Sequence, residues 1–199
     1  MTNSGGPSTG GDHVVEALVE NGVELLVGLP GTQTLPLDRA VADRPALRYV
    51  MARHETAIPH IAWGYHEASD ELAATLTVPG PGETNAMHGL KNALEDCVPM
   101  IHVTGDAHPD EMGTKPIHEI SPETYDAVVK ENVCPETAVD LPAAIQGGIA
   151  RALTPPMGPV RLGIPHRILT DEVEASPARV EPERVTRDNA AQLDAAAAL

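Results

Sequence analysis

Lysine is scarce in this chain of 199 residues, standing only at Lys91, Lys115 and Lys130, and phenylalanine is absent. Against 29 acidic residues, the 13 basic ones leave a formal charge of −16 and a pI near 4.8. Such a surface repels nucleic acid and anionic membrane, so neither is expected as a partner. The acid is scattered along the chain and not gathered in a tail, which argues against a disordered acidic arm. Acid-rich, lysine-poor composition predicts a halophilic protein, kept soluble in high salt. No run of eighteen apolar residues occurs, so no segment reads as a membrane span. The first residues, MTNSGGPSTGGD, lack the basic and apolar regions of a signal peptide, and a cytoplasmic location is expected. The two cysteines, Cys97 and Cys134, are distant in sequence and not in a metal-ligand spacing. Reduced, buried thiols are the expectation for them.

Apolar residues make up 42% of the chain, enough for one core, and the length fits one domain with tails. Residues 1–11 are expected to be disordered. Asp12 reads as the N-cap of a helix over about His13–Asn21, with Val14, Val15, Leu18 and Val19 on one face and Gly22 as its stop. Strands are predicted at 24–28, 47–52, 72–78, 100–104 and 159–164, with a further one within 126–133. Helices are predicted at 35–42, 56–68, 83–95 and 139–153. Pro59 lies inside the second of these and is expected to bend or delay it. Residues 105–122 have no period and read as a long loop, which in a compact domain is usually functional. From 171 the text becomes a charged connector, and 189–199 begins a new helical pattern, as though a further, truncated domain were starting. Strands alternating with helices predict an α/β fold, three layers with a mainly parallel sheet flanked by helices. The near-continuous apolar strands fit a sheet covered on both faces.

The stretch Tyr49–Tyr65, YVMARHETAIPHIAWGY, carries the first candidate site residue. An apolar strand breaks at Arg53-His54-Glu55 and a helix follows, so Glu55 falls at the carboxyl end of a strand, where ligands sit in parallel sheets. A carboxylate at a helix start is also favoured by the helix dipole alone, so Glu55 read singly is as well a helix-start acid. Two more loops should share its edge, Pro30–Gln33 and Gly80–Asn85. In the latter, Gly80, Pro81 and Gly82 precede a helix, where backbone N–H groups can meet an anion or a polar heterocycle, or simply make a tight turn that needs glycine. Other motifs fail. Asn85 stands where G-x-G-x-x-G needs its last glycine, which also removes a Rossmann-like nucleotide module. No P-loop or H-E-x-x-H is present, and the nine histidines form no metal-ligand spacing.

Taken in order, a larger set of residues resembles the N-terminal pyrimidine-binding domain of thiamine diphosphate-dependent enzymes, in the superfamily of acetolactate synthase, pyruvate oxidase and benzoylformate decarboxylase. The set is Asn21-Gly22-Val23, Gly28-Leu29-Pro30-Gly31, Arg53-His54-Glu55 with Ala57, and Ala62-Trp63-Gly64-Tyr65. It continues with Gly80-Pro81-Gly82-Glu83-Thr84-Asn85, Gly89-Leu90, Ala93, Asp96, Pro99 and Thr104-Gly105, and closes with Gly158-Pro159-Val160 and Ile164-Pro165. It covers roughly 11–170, so the pyrimidine-binding domain is placed at 12–170 and 171–199 becomes linker. The resemblance implies that Glu55 hydrogen-bonds N1′ of the aminopyrimidine and favours its imino tautomer, so that the thiazolium loses its C2 proton and attacks the carbonyl of a 2-oxo acid. It implies that Pro30, Gly31, Gly80, Pro81, Gly82 and Asn85 shape the pyrimidine pocket.

Gly113-Thr114-Lys115-Pro116-Ile117-His118-Glu119 resembles the family's substrate-side loop, with Ile117 and His118 in place of phenylalanine and glutamine. His118 is then a candidate to position substrate or move a proton, or else a surface-loop histidine. Gly113-Thr114 and Glu119 favour acetolactate synthase within the superfamily. Departures also stand out: Val78-Pro79 where threonine and serine are usual, and Glu67-Ala68-Ser69-Asp70 after Gly64-Tyr65. The family's diphosphate and Mg²⁺ are held by a separate domain with G-D-G and a later asparagine. Gly105-Asp106-Ala107 with Asn132 is not that motif, because Ala107 breaks it. The resemblance therefore implies half of a thiamine diphosphate site, a partner chain or domain carrying the diphosphate and Mg²⁺, a dimer, and a small 2-oxo acid as substrate. FAD is left open. The alternative is a non-catalytic remnant or a regulatory, interacting domain of the same fold.

Overall fold

The computed structural model describes residues 8–114, 116–181 and 189–198. In chain order its elements are β1 (Ser8–Thr9), α1 (Gly10–Glu20), β2 (Leu25–Gly28), α2 (Leu35–Ala42), β3 (Arg48–Met51), α3 (Ala57–Ser69), β4 (Ala73–Thr77) and α4 (Pro81–Glu95). Then follow β5 (Met100–Thr104), β6 (Glu131–Val133), α5 (Leu141–Leu153), β7 (Pro159–Gly163), α6 (His166–Thr170), β8 (Glu172–Val173) and α7 (Ala190–Ala197). Six strands form one sheet in the order β3-β2-β4-β5-β7-β6, with every neighbouring pair parallel. All residues of the inner strands β2, β4, β5 and β7 are buried, as a parallel sheet covered on both faces demands.

Alternate residues of these strands serve opposite layers. Leu26, Ala74, Leu76, Ile101, Val103, Val160 and Leu162 join α1, α2, α5 and α6 in the main core. Ala73 and Met100 pack with Ala62, Ala86, Leu90 and Ala93 of α3 and α4 in the second. The predicted three-layer α/β arrangement is therefore the one observed. Among its described residues, the long loop after β5 holds only short 3₁₀ turns before the edge strand β6.

Four expectations are corrected. Residues 8–11 are ordered: Ser8 and Thr9 pair antiparallel with Val173 and Glu172. Thr9, not Asp12, caps α1; its hydroxyl accepts from the Asp12 N–H and the Asp12 carboxylate accepts from the Thr9 N–H, a reciprocal box. Gly10 and Gly11 are buried because they lie against other backbone: a Cβ on Gly10 would collide with the Ile168 carbonyl, and one on Gly11 would sit 2.9 Å from that of Pro36. Packing continues past β8: the Val180 N–H donates to Asn21 Oδ1 at 2.7 Å and Val180 lies against the main core; residues 1–7 lie outside the described ones. Pro59 does not bend α3, because the helix starts at Ala57 and the proline occupies its first turn, where no N–H partner exists to lose. Both cysteines are free and exposed, not buried, Cys97 in the turn after α4 and Cys134 just past the edge strand β6.

Pro59 also explains a glycine. On α4, Gly89 faces it so closely that a Cβ would lie 2.7 Å from Pro59 Cγ and 2.9 Å from His60 Nδ1, whereas Gly64 and Gly147 face open space. Helix propensity alone favours alanine over glycine by about 1 kcal/mol at all three positions. Gly64→Ala and Gly147→Ala should therefore raise the urea midpoint, and Gly89→Ala should lower it by pushing α3 and α4 apart. A rise in all three would show that the α3–α4 contact yields freely.

Candidate functional site

From β2 the chain leaves toward the β3 edge through α2; from β4 it leaves toward the opposite edge through α4. The strand order reverses between β2 and β4, and the crevice beyond their carboxyl ends is where open α/β sheets place ligands. The loops Leu29–Thr34 and Val78–Gly80 meet there. A Cβ on Gly31 would run into Val78 Cγ1, and one on Gly82 would lie 2.8 Å from Val78 Cγ2 and 3.7 Å from Glu55 Oε1. Gly31, Val78, Gly82 and Glu55 thus line one narrow gap. Gly80 is glycine for another reason: its φ is +70°, and a side chain would strike the Ile117 carbonyl.

Glu55 is half-buried in the turn between β3 and α3. It precedes the helix instead of sitting in its first turn; its carbonyl accepts from the Ile58 N–H at 3.0 Å. The Asn85 side-chain amide donates to Glu55 Oε2 at 3.1 Å, while the Thr56 hydroxyl donates to the Asn85 carbonyl at 3.1 Å. One carboxylate oxygen is held by α4 and the other faces Gly82. Pro30 and Pro81 are exposed, and Pro81 opens α4 at its first position.

Pro81 has no N–H, the Glu83 N–H donates to the Val78 carbonyl at 3.1 Å, and the Thr84 N–H donates to the Gly80 carbonyl at 2.9 Å. Two of the N–H groups at this helix start are therefore already engaged within the protein.

His118 lies beside Pro79 and Gly80. It is half-buried, with Nδ1 3.3 Å from the Pro79 carbonyl, and it lines a cavity of about 310 Å³ together with Pro79, Gly80, Glu83, Asp106 and Met112. Lys115 of the same loop lies outside the described residues.

Beneath this cavity is a group that sequence reasoning missed. Arg161 of β7 is buried, and its Nε donates to Glu83 Oε1 at 2.6 Å. Its Nη2 donates to Glu83 Oε2 at 3.1 Å and to both Asp106 oxygens at 2.7 Å; its Nη1 donates to Asn132 Oδ1 at 3.0 Å and to Cys134 Sγ at 3.4 Å. The Tyr125 ring lies 4.4 Å from the guanidinium carbon. Burial raises the carboxyls of Glu83 and Asp106 above the usual range, with Arg161 opposing. Burial also works against the Arg161 charge, but the two carboxylates outweigh it. The legible signal was an arginine in the otherwise apolar run Pro159–Ile164.

His102 of β5 is fully buried beside this group, bonded through Nδ1 to Thr75 at 2.9 Å and through Nε2 to Thr77 at 3.3 Å. Burial, then Arg161, lowers its pKa to about 3, so its 3.7 Å approach to Glu83 is not an ion pair at neutral pH. Among the described residues, no group of three or more His, Cys, Asp or Glu side chains is arranged to hold a metal.

Residues 8–127 match the family described as thiamine pyrophosphate enzyme, N-terminal TPP binding domain. The chain is 32% identical to the acetolactate synthase large subunit of Lactococcus lactis over 84% of its own length and 29% of that protein's. It is 30% identical to the acetolactate synthase isozyme 1 large subunit of Escherichia coli over 98% of this chain and 38% of that one. A structure from Mycobacterium smegmatis, described as a putative thiamin diphosphate-dependent enzyme, superposes with a TM-score of 0.82 at 27% identity, covering 96% of this chain and 37% of the other. The chain thus spans roughly a third of the length of these relatives.

The buried imidazole gives a pH prediction. Below its ordinary value of 6.5 the unfolded chain binds a proton on His102 that the folded chain refuses until about pH 3, so this group costs stability as pH falls through that window. Glu83, its folded value raised, works the opposite way as pH rises. Comparison with His102→Gln isolates the imidazole: relative to the variant, the parent should lose about 1.4 kcal/mol of unfolding free energy per pH unit between those values. Parallel curves in urea titrations would show that His102 titrates normally.

Proposed function

Because this chain belongs to the family of thiamine pyrophosphate enzyme N-terminal domains, we propose that its crevice takes the aminopyrimidine half of thiamine diphosphate, with Glu55 as the acid on ring nitrogen N1′. The observation that carries this reading is the Glu55 carboxylate at the β2/β4 reversal, one oxygen held by Asn85 and the other turned to the gap at Gly82. The residues present fit the group: the gap is shaped by glycines where any side chain would fill it, and it holds one carboxylate. When bound, the cofactor supplies the electron sink for 2-oxo acid chemistry.

The protein's own part is narrower. Glu55 shares its proton with N1′, and Asn85 and Thr56 fix the carboxylate in place by joining the start of α3 to α4. Gly31, Gly80 and Gly82, with Pro30 and Pro81 setting the loop backbones, wall the ring and keep water out. His118, across Pro79 and Gly80, fronts the cavity in which the 2-oxo acid is handled. The diphosphate and its Mg²⁺ belong to a domain of a partner chain, a division supported by the engaged N–H groups of Glu83 and Thr84 and by a formal charge of −16. The whole is a decarboxylase or carboligase of acetolactate synthase type, dimeric, with this chain as its pyrimidine-side part.

Calorimetry with thiamine diphosphate and Mg²⁺ in molar salt tests the reading, on the chain alone and mixed with a protein that carries the diphosphate domain. Binding should appear in the mixture. Glu55→Gln should lower pyruvate turnover there by at least about a hundredfold. No binding in either setting would leave a non-catalytic domain of the same fold.

A further inference from the structure

The Glu83–Arg161–Asp106 group is buried charge that the proposed chemistry does not use, and it ties α4, which borders the crevice, to β5, β6 and β7 across the sheet. Glu83 belongs to the first turn of α4, between Gly82, which faces Glu55, and Asn85, which binds it. Asp106 follows β5, and its N–H donates to the Ile164 carbonyl at 2.9 Å. Arg161 comes from β7, while Asn132 comes from the edge strand and Tyr125 from the long loop. Gly163 has no room for a side chain: a Cβ there would collide with Arg161 Nη1 and Asp106 Oδ2.

The fork of Arg161 grips Glu83 through Nε and Nη2 and leaves that side chain a single seat. We propose that Arg161 and Glu83 are positioning residues: their bidentate pair fixes the first turns of α4 on the sheet, and so sets Asn85 against Glu55 at the distance the pyrimidine contact requires. The link is short. Glu83 and Asn85 are two residues apart on one rigid helix, and α3 meets that helix at Asn85 through both Thr56 and Glu55. Asp106 completes the fork and, with Glu83, floors the cavity that His118 fronts. The inference rests on Glu55 being the residue that meets the pyrimidine ring.

The experiment needs no cofactor, so it separates this inference from that reading. In the labelled full chain, NMR follows the Asn85 side-chain amide through its scalar coupling across the hydrogen bond to Glu55 and its hydrogen exchange. The Asn21 side-chain amide, bonded to the Ala17 carbonyl at 2.8 Å in α1, is the internal control. A variant combining Arg161→Met, Glu83→Leu and Asp106→Asn replaces the ion group with side chains of similar bulk, an exchange that buried ion pairs often tolerate without loss of stability. In it the Asn85–Glu55 coupling should vanish and Asn85 exchange should quicken about tenfold, with Asn21 unchanged. Arg161→Lys keeps the charge without the fork and should show the same loss. An unchanged Asn85 signal in the folded triple variant overturns the proposal. If that variant does not fold, Glu83→Gln decides on the same readout: loss of the coupling supports the positioning role and an unchanged coupling ends it. Cofactor binding with an unmoved Asn85 would sink the positioning role alone. A moved Asn85 without cofactor binding would sink the pyrimidine reading alone.

Discussion

The chain turns one way after β2 and the other way after β4, and the geometry of the crevice follows from that reversal. Two adjacent parallel strands whose following helices lie in opposite layers leave a gap beyond their ends that neither helix can cover. Small side chains let the two loops close on this gap without filling it: Val78 plugs the base, with Gly31 on one side and Gly82 on the other. Glu55 reaches it from the next strand outward, because β3 pairs with β2 in register from Leu25↔Arg48 to Gly28↔Met51, which brings the turn after Met51 level with the loop after Gly28. A carboxylate, a helix start and two glycines meet although they lie about 25 residues apart in sequence.

The second constraint is electrostatic. Taking a guanidinium and two carboxylates out of water costs several kcal/mol per ion, and mutual attraction offsets that only when the hydrogen bonds are well made. Arg161 meets this condition from every side, through Glu83, Asp106, Asn132 and Cys134, with an aromatic face on Tyr125. His102 meets it differently, by staying neutral between two threonines. An apolar filling of the same space would hold the layers together as well. What the charged one adds is direction, since a forked pair has few acceptable geometries where methyl groups have many.

These two constraints separate what the sequence displays from what it conceals. Periodicity and punctuation were enough for β2, β4, β5, β7 and the helices between them, because inner parallel strands are continuous apolar runs and Gly-Pro turns mark their ends. That Glu55, Gly82 and Asn85 lie together was legible, since each follows a strand and such ends share an edge. The start of α1 was not legible. STGG reads as flexible by composition, and only the backbone of Ile168 and Pro36 packed against it shows why those glycines are there. Pro59 misled in a related way: its cost depends on which residue begins α3, and that is settled by tertiary contacts, not by the proline. Glu83, Asp106 and Arg161 are spread over 78 positions, and no local rule pairs them. The arginine inside Pro159–Ile164 was their visible trace, a charge where burial forbids one unless partners arrive from elsewhere.

Charge also bears on why a crevice of this kind would serve only one end of a cofactor. The acid that lines or underlies it, Glu55, Glu83 and Asp106, sits in a chain of formal charge −16, and the Arg161 guanidinium is already bound to two carboxylates. A ring nitrogen that accepts a proton gains from that field, whereas a diphosphate loses by it unless a metal ion and basic or amide donors neutralise it first. The α4 N-terminus, elsewhere a ready anion site, has the Glu83 and Thr84 amides turned inward and an acid in its first turn. The arrangement therefore favours the polar, weakly basic ring and disfavours the anion, and on the proposed reading the diphosphate and its metal must be supplied with a surface of the opposite character by the partner.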